Sequence, residues 1–384
     1  MPANQTGPSL LQEARTALER VIDPELRRPI TELGMLRSVE VDEHGAARIG
    51  VLLTIAGCPL RETITADVER ELSAVPGITS VSVDLDVMSP EQREELKTRL
   101  RGPGGQRGVP FNRPGSLTRV YAVASGKGGV GKSTVTVNLA AAMAASGLRV
   151  GVIDADVHGF SVPGLLGITA PPTRVDEMIL PPVAYGIKTI SIGMFLDGNK
   201  PVAWRGPMLH RALEQFLTDV YFGDLDVLLL DLPPGTGDIA ISVGQLLPSS
   251  EILVVTTPQA AAAEVAERAG TVAAQTGQKV AGVIENMSWL PLPGGERMEL
   301  FGSGGGALVS GRLGKALGYE VPLLGSIPLD VRLREGGDAG LPVVLDESAA
   351  EPESAGAELR RIAASLASRP RGLSGLNLGV SPRS

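Results

Sequence analysis

Residues Gly126 to Ser133 read GKGGVGKS, and the segment around this octet, YAVASGKGGVGKSTVTVNLAAAM, decides the fold. The octet fits G-x-x-x-x-G-K-[ST], a phosphate-binding loop, when a strand precedes it and a helix follows. Both flanks are present. Val120 to Ala124 is a short apolar strand, and Thr134 to Ala145 is an Ala-rich helical stretch. Each part of this layout has a chemical purpose. Small residues let successive backbone N–H groups turn inward around phosphate oxygens. The N-terminal end of the helix adds favourable partial charge. Gly126, Lys127, Gly128, Gly129, Val130, Gly131, Lys132, Ser133 and Thr134 are therefore the candidate nucleotide contacts. Within that set, Lys132 is placed to reach β- and γ-phosphates, the Ser133 hydroxyl to ligate Mg²⁺, and Thr134 to touch the α-phosphate. Lys127 holds a position where a plain loop accepts many residues. Its ammonium could extend over the phosphates of its own loop or of a facing subunit.

Downstream of the loop, Arg149 to Ile153, Val227 to Leu230, Ile252 to Thr256, Val280 to Ile284 and Leu323 to Ile327 are short apolar runs, with helical stretches between several of them. This alternation predicts an α/β fold, a mainly parallel sheet covered by helices on both faces. Open sheets of this kind bind ligands at the carboxyl ends of their strands. Two acidic residues stand there, Asp154 in VGVIDADVHG and Asp231 in DVLLLDLPPGTGD. Asp231 is the candidate to hold the Mg²⁺ shell, and Asp154 to orient or activate the attacking water, with Asp156 a second candidate for that role. The PPGTG stretch from Pro233 reads as a switch loop sensing the γ-phosphate. Asn286, closing the run VAGVIEN, is either a reader of the adenine edge or a turn residue.

Working outward, residues 8–100 form a small α+β unit with a helix over Leu11 to Ile22, a strand over Arg48 to Ile55, a helix over Glu62 to Leu72 and an alternating strand over Ile78 to Val87. Residues 101–117 read as a Gly-, Pro- and Arg-bearing linker, 118–368 as the P-loop domain, and 369–384 as a flexible tail. Aromatics make up only 3% of the 384 residues, so the core must come from Val, Leu, Ile and Ala, as in buried parallel sheets. The net charge of -8 argues against a broad nucleic-acid surface. No apolar run reaches the roughly 18 residues of a membrane span, and no secretory pattern opens the chain, so the expectation is a cytoplasmic protein. The single cysteine, Cys58, excludes an intrachain disulfide. The three histidines, His44, His158 and His210, show no metal-ligand spacing.

The ordered set KGGVGKS, DADVHGFSVPGLLG, DLPPGTGD, ENMS and FGSGGG resembles the Mrp/ApbC-type ATPases of the deviant-Walker group that also contains MinD and ParA. The resemblance spans about Thr118 to Leu345. IDPEL at Ile22 to Leu26, ELG at Glu32 to Gly34 and LTIAGCPL at Leu53 to Leu60 resemble the small domain of iron–sulfur assembly factors. What the resemblance implies is a homodimer with Lys127 reaching across, ATP with Mg²⁺ as ligands, and iron–sulfur clusters bound and passed to client apoproteins. One departure stands out. Members of that family carry C-x-x-C shortly after ENMS, whereas NMSWLPLPGGERMELFGSGGG has no cysteine. Cys58, in a Gly-Cys-Pro turn, is the remaining soft ligand: a cluster or iron ligand completed by a partner, a reactive thiol, or a small buried residue. Two rivals follow from the same residues. One is a MinD- or ParA-like nucleotide-switched positioning or scaffold protein. The other is an ATP-binding adaptor with no cluster of its own.

Overall fold

The computed structural model describes residues 9–55, 60–101, 108–113, 115–157, 159–196, 206–235, 237–259, 272, 275–347 and 351–369. Cys58, His158, Thr236, residues 102–107 of the sequence-assigned linker and tail residues 370–384 lie outside them. The chain divides into two compact units, 1–107 with 172–180, and 108–171 with 181–384. Among the described residues no helix is long and apolar enough to cross a membrane.

The first unit is a three-stranded sheet, β1 (Leu36–Val41), β2 (Ala46–Leu53) and β3 (Ser80–Val87), in that spatial order. β1 and β2 form an antiparallel pair, whereas β3 runs parallel to β2. Helix α1 (Leu10–Leu18) starts at Ser9, whose hydroxyl accepts from Gln12 N; this cap satisfies one of the otherwise open N–H groups of the first turn. It ends four residues before the expected limit at Ile22. Helix α2 (Arg61–Ser73) buries Ile64, Val68 and Leu72, a stripe spaced by four that faces the core. A charged helix, α3 (Pro90–Arg101), follows. The unit also contains a hairpin far away in sequence, β6 (Thr173–Val175) with β7 (Met178–Leu180). Thr173 Oγ1 donates to Glu25 Oε1 at 3.2 Å, and Asp176 pairs with Lys97 at 3.0 Å and Arg93 at 3.5 Å.

The second unit is built on an eight-stranded sheet. Its strands are β4 (Arg119–Ser125), β5 (Val150–Asp154), β8 (Val183–Ala184), β9 (Ile187–Ser191), β10 (Val227–Asp231), β11 (Glu251–Thr256), β12 (Lys279–Glu285) and β15 (Leu323–Ser326). The order is β15-β12-β11-β4-β10-β5-β9-β8, and only the β8–β9 pair is antiparallel. Strand residues of alternate parity, Tyr121, Val123, Val150, Val152, Val227, Leu229, Leu253 and Val255, join α4 (Lys132–Ala145) and α10 (Ala355–Ala367) in one core. The intervening Ala122, Leu228, Leu230, Ile252 and Val254 are buried as well, so both faces of the central strands are covered. The order reverses at β4: β10, β5 and β9 extend to one side of it, β11, β12 and β15 to the other. Such a switch point opens a crevice beyond the strand ends, and the P-loop leaves the sheet there. Part of the stretch expected as linker is ordered in this unit. Phe111, in a short turn over Pro110–Asn112, is buried and meets Phe222 edge-on at 5.9 Å.

A candidate nucleotide site at the strand ends

The phosphate loop turns on glycines that tolerate left-handed backbone. Gly129 has φ 76° and Gly131 φ 78°, conformations that cost other residues about 1–2 kcal/mol. Gly131 has a second constraint, because a Cβ there would lie 2.3 Å from Asn286 Nδ2. Side chains at Gly128 and Gly129 would meet almost nothing, which leaves the space above the loop open for an anion. Helix α4 starts directly after Gly131, so its first N–H groups face the same region.

Three groups then converge at the end of β10. The Lys132 ammonium lies 2.7 Å from Asp231 Oδ2 and 3.3 Å from Ser133 Oγ. Ser133 Oγ donates to the same carboxylate oxygen at 2.5 Å, while Thr136 Oγ1 donates to Oδ1 at 2.8 Å. Lys132 is only 6% exposed and Asp231 fully buried. A buried charge persists only when it is paired and hydrogen-bonded, and here every carboxylate oxygen has a donor. Thr136 belongs to no motif that the sequence displays. Its position one helical turn after Lys132 is the available signal.

Asp154 sits beside Asp231 because β5 and β10 run in register there. Among the described residues no cation is in contact with it. Its partners are the N–H groups of Asp156 (3.2 Å) and Val162 (3.3 Å) and the hydroxyl of Ser191 (3.1 Å), a further residue that no sequence pattern marks. Burial, and secondarily the neighbouring charge of Asp231, push the Asp154 carboxyl up to about 7. Asp156 accepts from Gly159 N at 3.1 Å and shapes the turn after β5. The two candidates for the water-activating role thus differ in kind: one carboxyl is hard to ionise, the other is a loop brace.

Lys127 lies on the rim, and Asn286 is buried under the loop. Lys127 Nζ donates to Gln259 Oε1 at 2.6 Å. Both ends of the buried Asn286 amide are engaged with backbone: Nδ2 donates to Val130 O at 2.9 Å, and Oδ1 accepts from Met287 N at 2.9 Å. Met287 takes a left-handed φ of 59° in that bond. Asn286 therefore clamps the P-loop to the end of β12, and only its second amide hydrogen and remaining lone pair are left for a base. Next to it lies a cavity of about 270 Å³, whose lining includes Gly131, Thr134, Met287, Pro328, Asp330 and Arg334. That is just below the usual range of ligand pockets, roughly 300–1,000 Å³. The size suits a base and sugar, with phosphates lying over the open loop. Glu285, the residue before Asn286, accepts from Gly306 N at 2.6 Å and so caps α8 (Gly305–Leu317). The FGSGGG motif thus marks a helix start where the backbone passes close to Pro258 and Thr257 carbonyls, 2.5–2.6 Å from where a Cβ on Gly305 would sit.

Known proteins resemble the chain along its length. The family described as NUBPL iron-transfer P-loop NTPase matches residues 116–367, and one described as iron–sulfur cluster assembly protein matches residues 11–85. A Mycobacterium tuberculosis protein named iron–sulfur cluster carrier protein is 62% identical over 96% of both chains. One of the same name from Bacillus subtilis is 41% identical over 83% of this chain and 87% of its own. The solved nucleotide-binding protein from Archaeoglobus fulgidus in complex with ADP aligns with a TM-score of 0.51 and 38% identity, over 61% of this chain and 89% of that one. With a P-loop at the switch point of a mainly parallel sheet, and with these relatives, the chain belongs to the NUBPL iron-transfer P-loop NTPase family.

Proposed function

We propose that this protein is a Mg²⁺-dependent ATPase of the cytosol that acts as an iron–sulfur cluster carrier or assembly factor, binding clusters and passing them to apoproteins. The observation that carries the nucleotide half is the cluster of buried Lys132, Thr136 and Asp231 with half-buried Ser133. Its donor set fits a hard divalent cation: a hydroxyl and a carboxylate oxygen lie within 2.5 Å of each other, with a second carboxylate oxygen beside them. Mg²⁺, when bound, offsets negative charge on the phosphate oxygens. The remaining work belongs to the chain. Lys132 binds β- and γ-phosphate oxygens, and the P-loop N–H groups orient them. The cavity beside Asn286 takes the base. Asp154, whose carboxyl is held near neutrality, accepts a proton from the attacking water. Lys127 serves a nucleotide across a homodimer interface, so hydrolysis depends on two copies meeting.

The cargo half is supported by what the relatives are named. Iron–sulfur clusters want four thiolates or close equivalents, and each copy of this chain has one, Cys58. A homodimer supplies two, and the client or donor protein completes the set during transfer. The single cysteine also favours a second reading, an ATP-driven adaptor that handles clients with no cluster of its own. The nucleotide half is tested by Lys132→Ala. ATP binding and turnover should fall at least ~10²-fold, as expected when charge stabilisation of the transferring phosphoryl group is lost. Turnover like that of the unmodified protein, in a variant whose circular dichroism is unchanged, would overturn the assignment.

A further inference from the structure

The contact between Lys127 and Gln259 is not explained by nucleotide binding, since nothing in the phosphate loop requires a glutamine at that point. The sheet brings the pair together. β4 and β11 are parallel neighbours with Val255 opposite Ser125, so the residues that follow the two strand ends emerge at the same level. Lys127 comes two residues after β4, and Gln259 three after β11. The base of Gln259 is firmly placed: Thr256 and Thr257 are buried, Asn286 N donates to Thr256 O at 2.8 Å, and the Thr257 and Pro258 carbonyls sit close against Gly305. Gln259 itself is exposed, and Lys127 is partly so. The result is a long, flexible cation held by a neutral acceptor on a rigid post.

We propose that Gln259 is a positioning residue that holds the Lys127 ammonium on its own subunit until a second nucleotide-loaded copy offers phosphate oxygens in exchange. The proposal rests on Lys127 acting across the dimer. Its chemistry lies in the choice of acceptor. A carboxamide oxygen holds an ammonium without neutralising it, so the full charge remains available to a phosphate. A carboxylate at the same place would add the attraction of an ion pair to the hydrogen bond, and would also repel the incoming phosphate. The hydrogen bond must break before Lys127 can reach across, so it lowers the population of the reaching state. A charged hydrogen bond on a partly solvated rim supports a bias of about three- to tenfold.

The test uses the full-length protein at fixed Mg-ATP, with the ATPase rate per chain followed over a wide range of protein concentration. The expected wild-type rate rises with concentration to a plateau. Gln259→Met keeps the length of the side chain and removes the acceptor; its midpoint should fall about three- to tenfold. Gln259→Glu should raise the midpoint, and that increase should shrink as salt screens the new ion pair. Coinciding midpoints for the three proteins, or a reversed order of Met and Glu, would overturn the latch while leaving action across the dimer intact. A Lys127→Ala variant that matches wild type at every concentration would overturn action across the dimer and the latch with it.

Discussion

Two segments leave the same edge of the large sheet and end in opposite chemical states. At the end of β10, the groups that carry charge are buried and tied to one another, as with Lys132 against Asp231. After β12, the segment 287–304 forms the small hairpin β13 (Leu290–Pro291) and β14 (Arg297–Met298), and it presents apolar side chains to solvent. Leu300 is 53% exposed, Met298 43% and Phe301 38%. Its charged Arg297 pairs with Glu353 and lies over the Trp289 ring at 4.2 Å. The first region keeps desolvated charges, which a protein retains only where each is matched. The second holds no thiolate, where the family resemblance implies a cysteine pair. The nucleotide machinery is thus written into the sheet, while the cargo chemistry, by our proposal, belongs to Cys58 in the other unit.

Asp154 offers the sharpest way to break that contrast. Asp154→Asn should lower ATP turnover roughly 10²-fold, the usual contribution of a positioned base, and should remove a rate increase with pH centred near 7. The same variant should gain stability. The folded carboxyl sits at about 7 against an ordinary 3.8, so the native state binds the proton more tightly than the unfolded chain does. Its contribution to stability is full below about 3.8 and is lost as pH rises through 7. Asparagine avoids that loss, and its advantage in chemical denaturation should grow between pH 4 and 8 to about 1–3 kcal/mol. Equal stability of the two proteins at pH 8 would mean that the carboxyl is not held near neutrality. A smaller effect is expected at the clamp. Asn286→Ala releases Val130 from β12 and should weaken ATP binding by calorimetry about five- to tenfold, the worth of one buried hydrogen bond. Unchanged affinity would leave Asn286 as a turn residue only.

Much of the nucleotide region is legible in the sequence. The P-loop, its strand and its helix follow from spacing, and Asp154 and Asp231 from acidic residues that end apolar runs. The rest is hidden for physical reasons. β9 carries Lys188 and Thr189 in its middle, and Lys188 is buried with its ammonium 4.9 Å from the centre of the Tyr221 ring, so the strand shows no apolar run. The β6–β7 hairpin belongs to the first unit through Glu25, Lys97 and Arg93, contacts between residues 79 to 148 positions apart that no local pattern reports. The partners Thr136, Ser191 and Gln259 are ordinary polar residues whose importance is set by what stands opposite them.

The division between a built nucleotide site and a cargo site resting on one thiol is tested most directly by anaerobic reconstitution of the full-length protein with iron, sulfide and an excess of a small thiol that supplies the ligands a client would provide. Visible absorption and ATP binding are then measured for wild type and Cys58→Ser. Wild type should show a chromophore that is lost in Cys58→Ser, with ATP binding equal in both. A chromophore that persists without Cys58, or one that forms in neither protein, would contradict it.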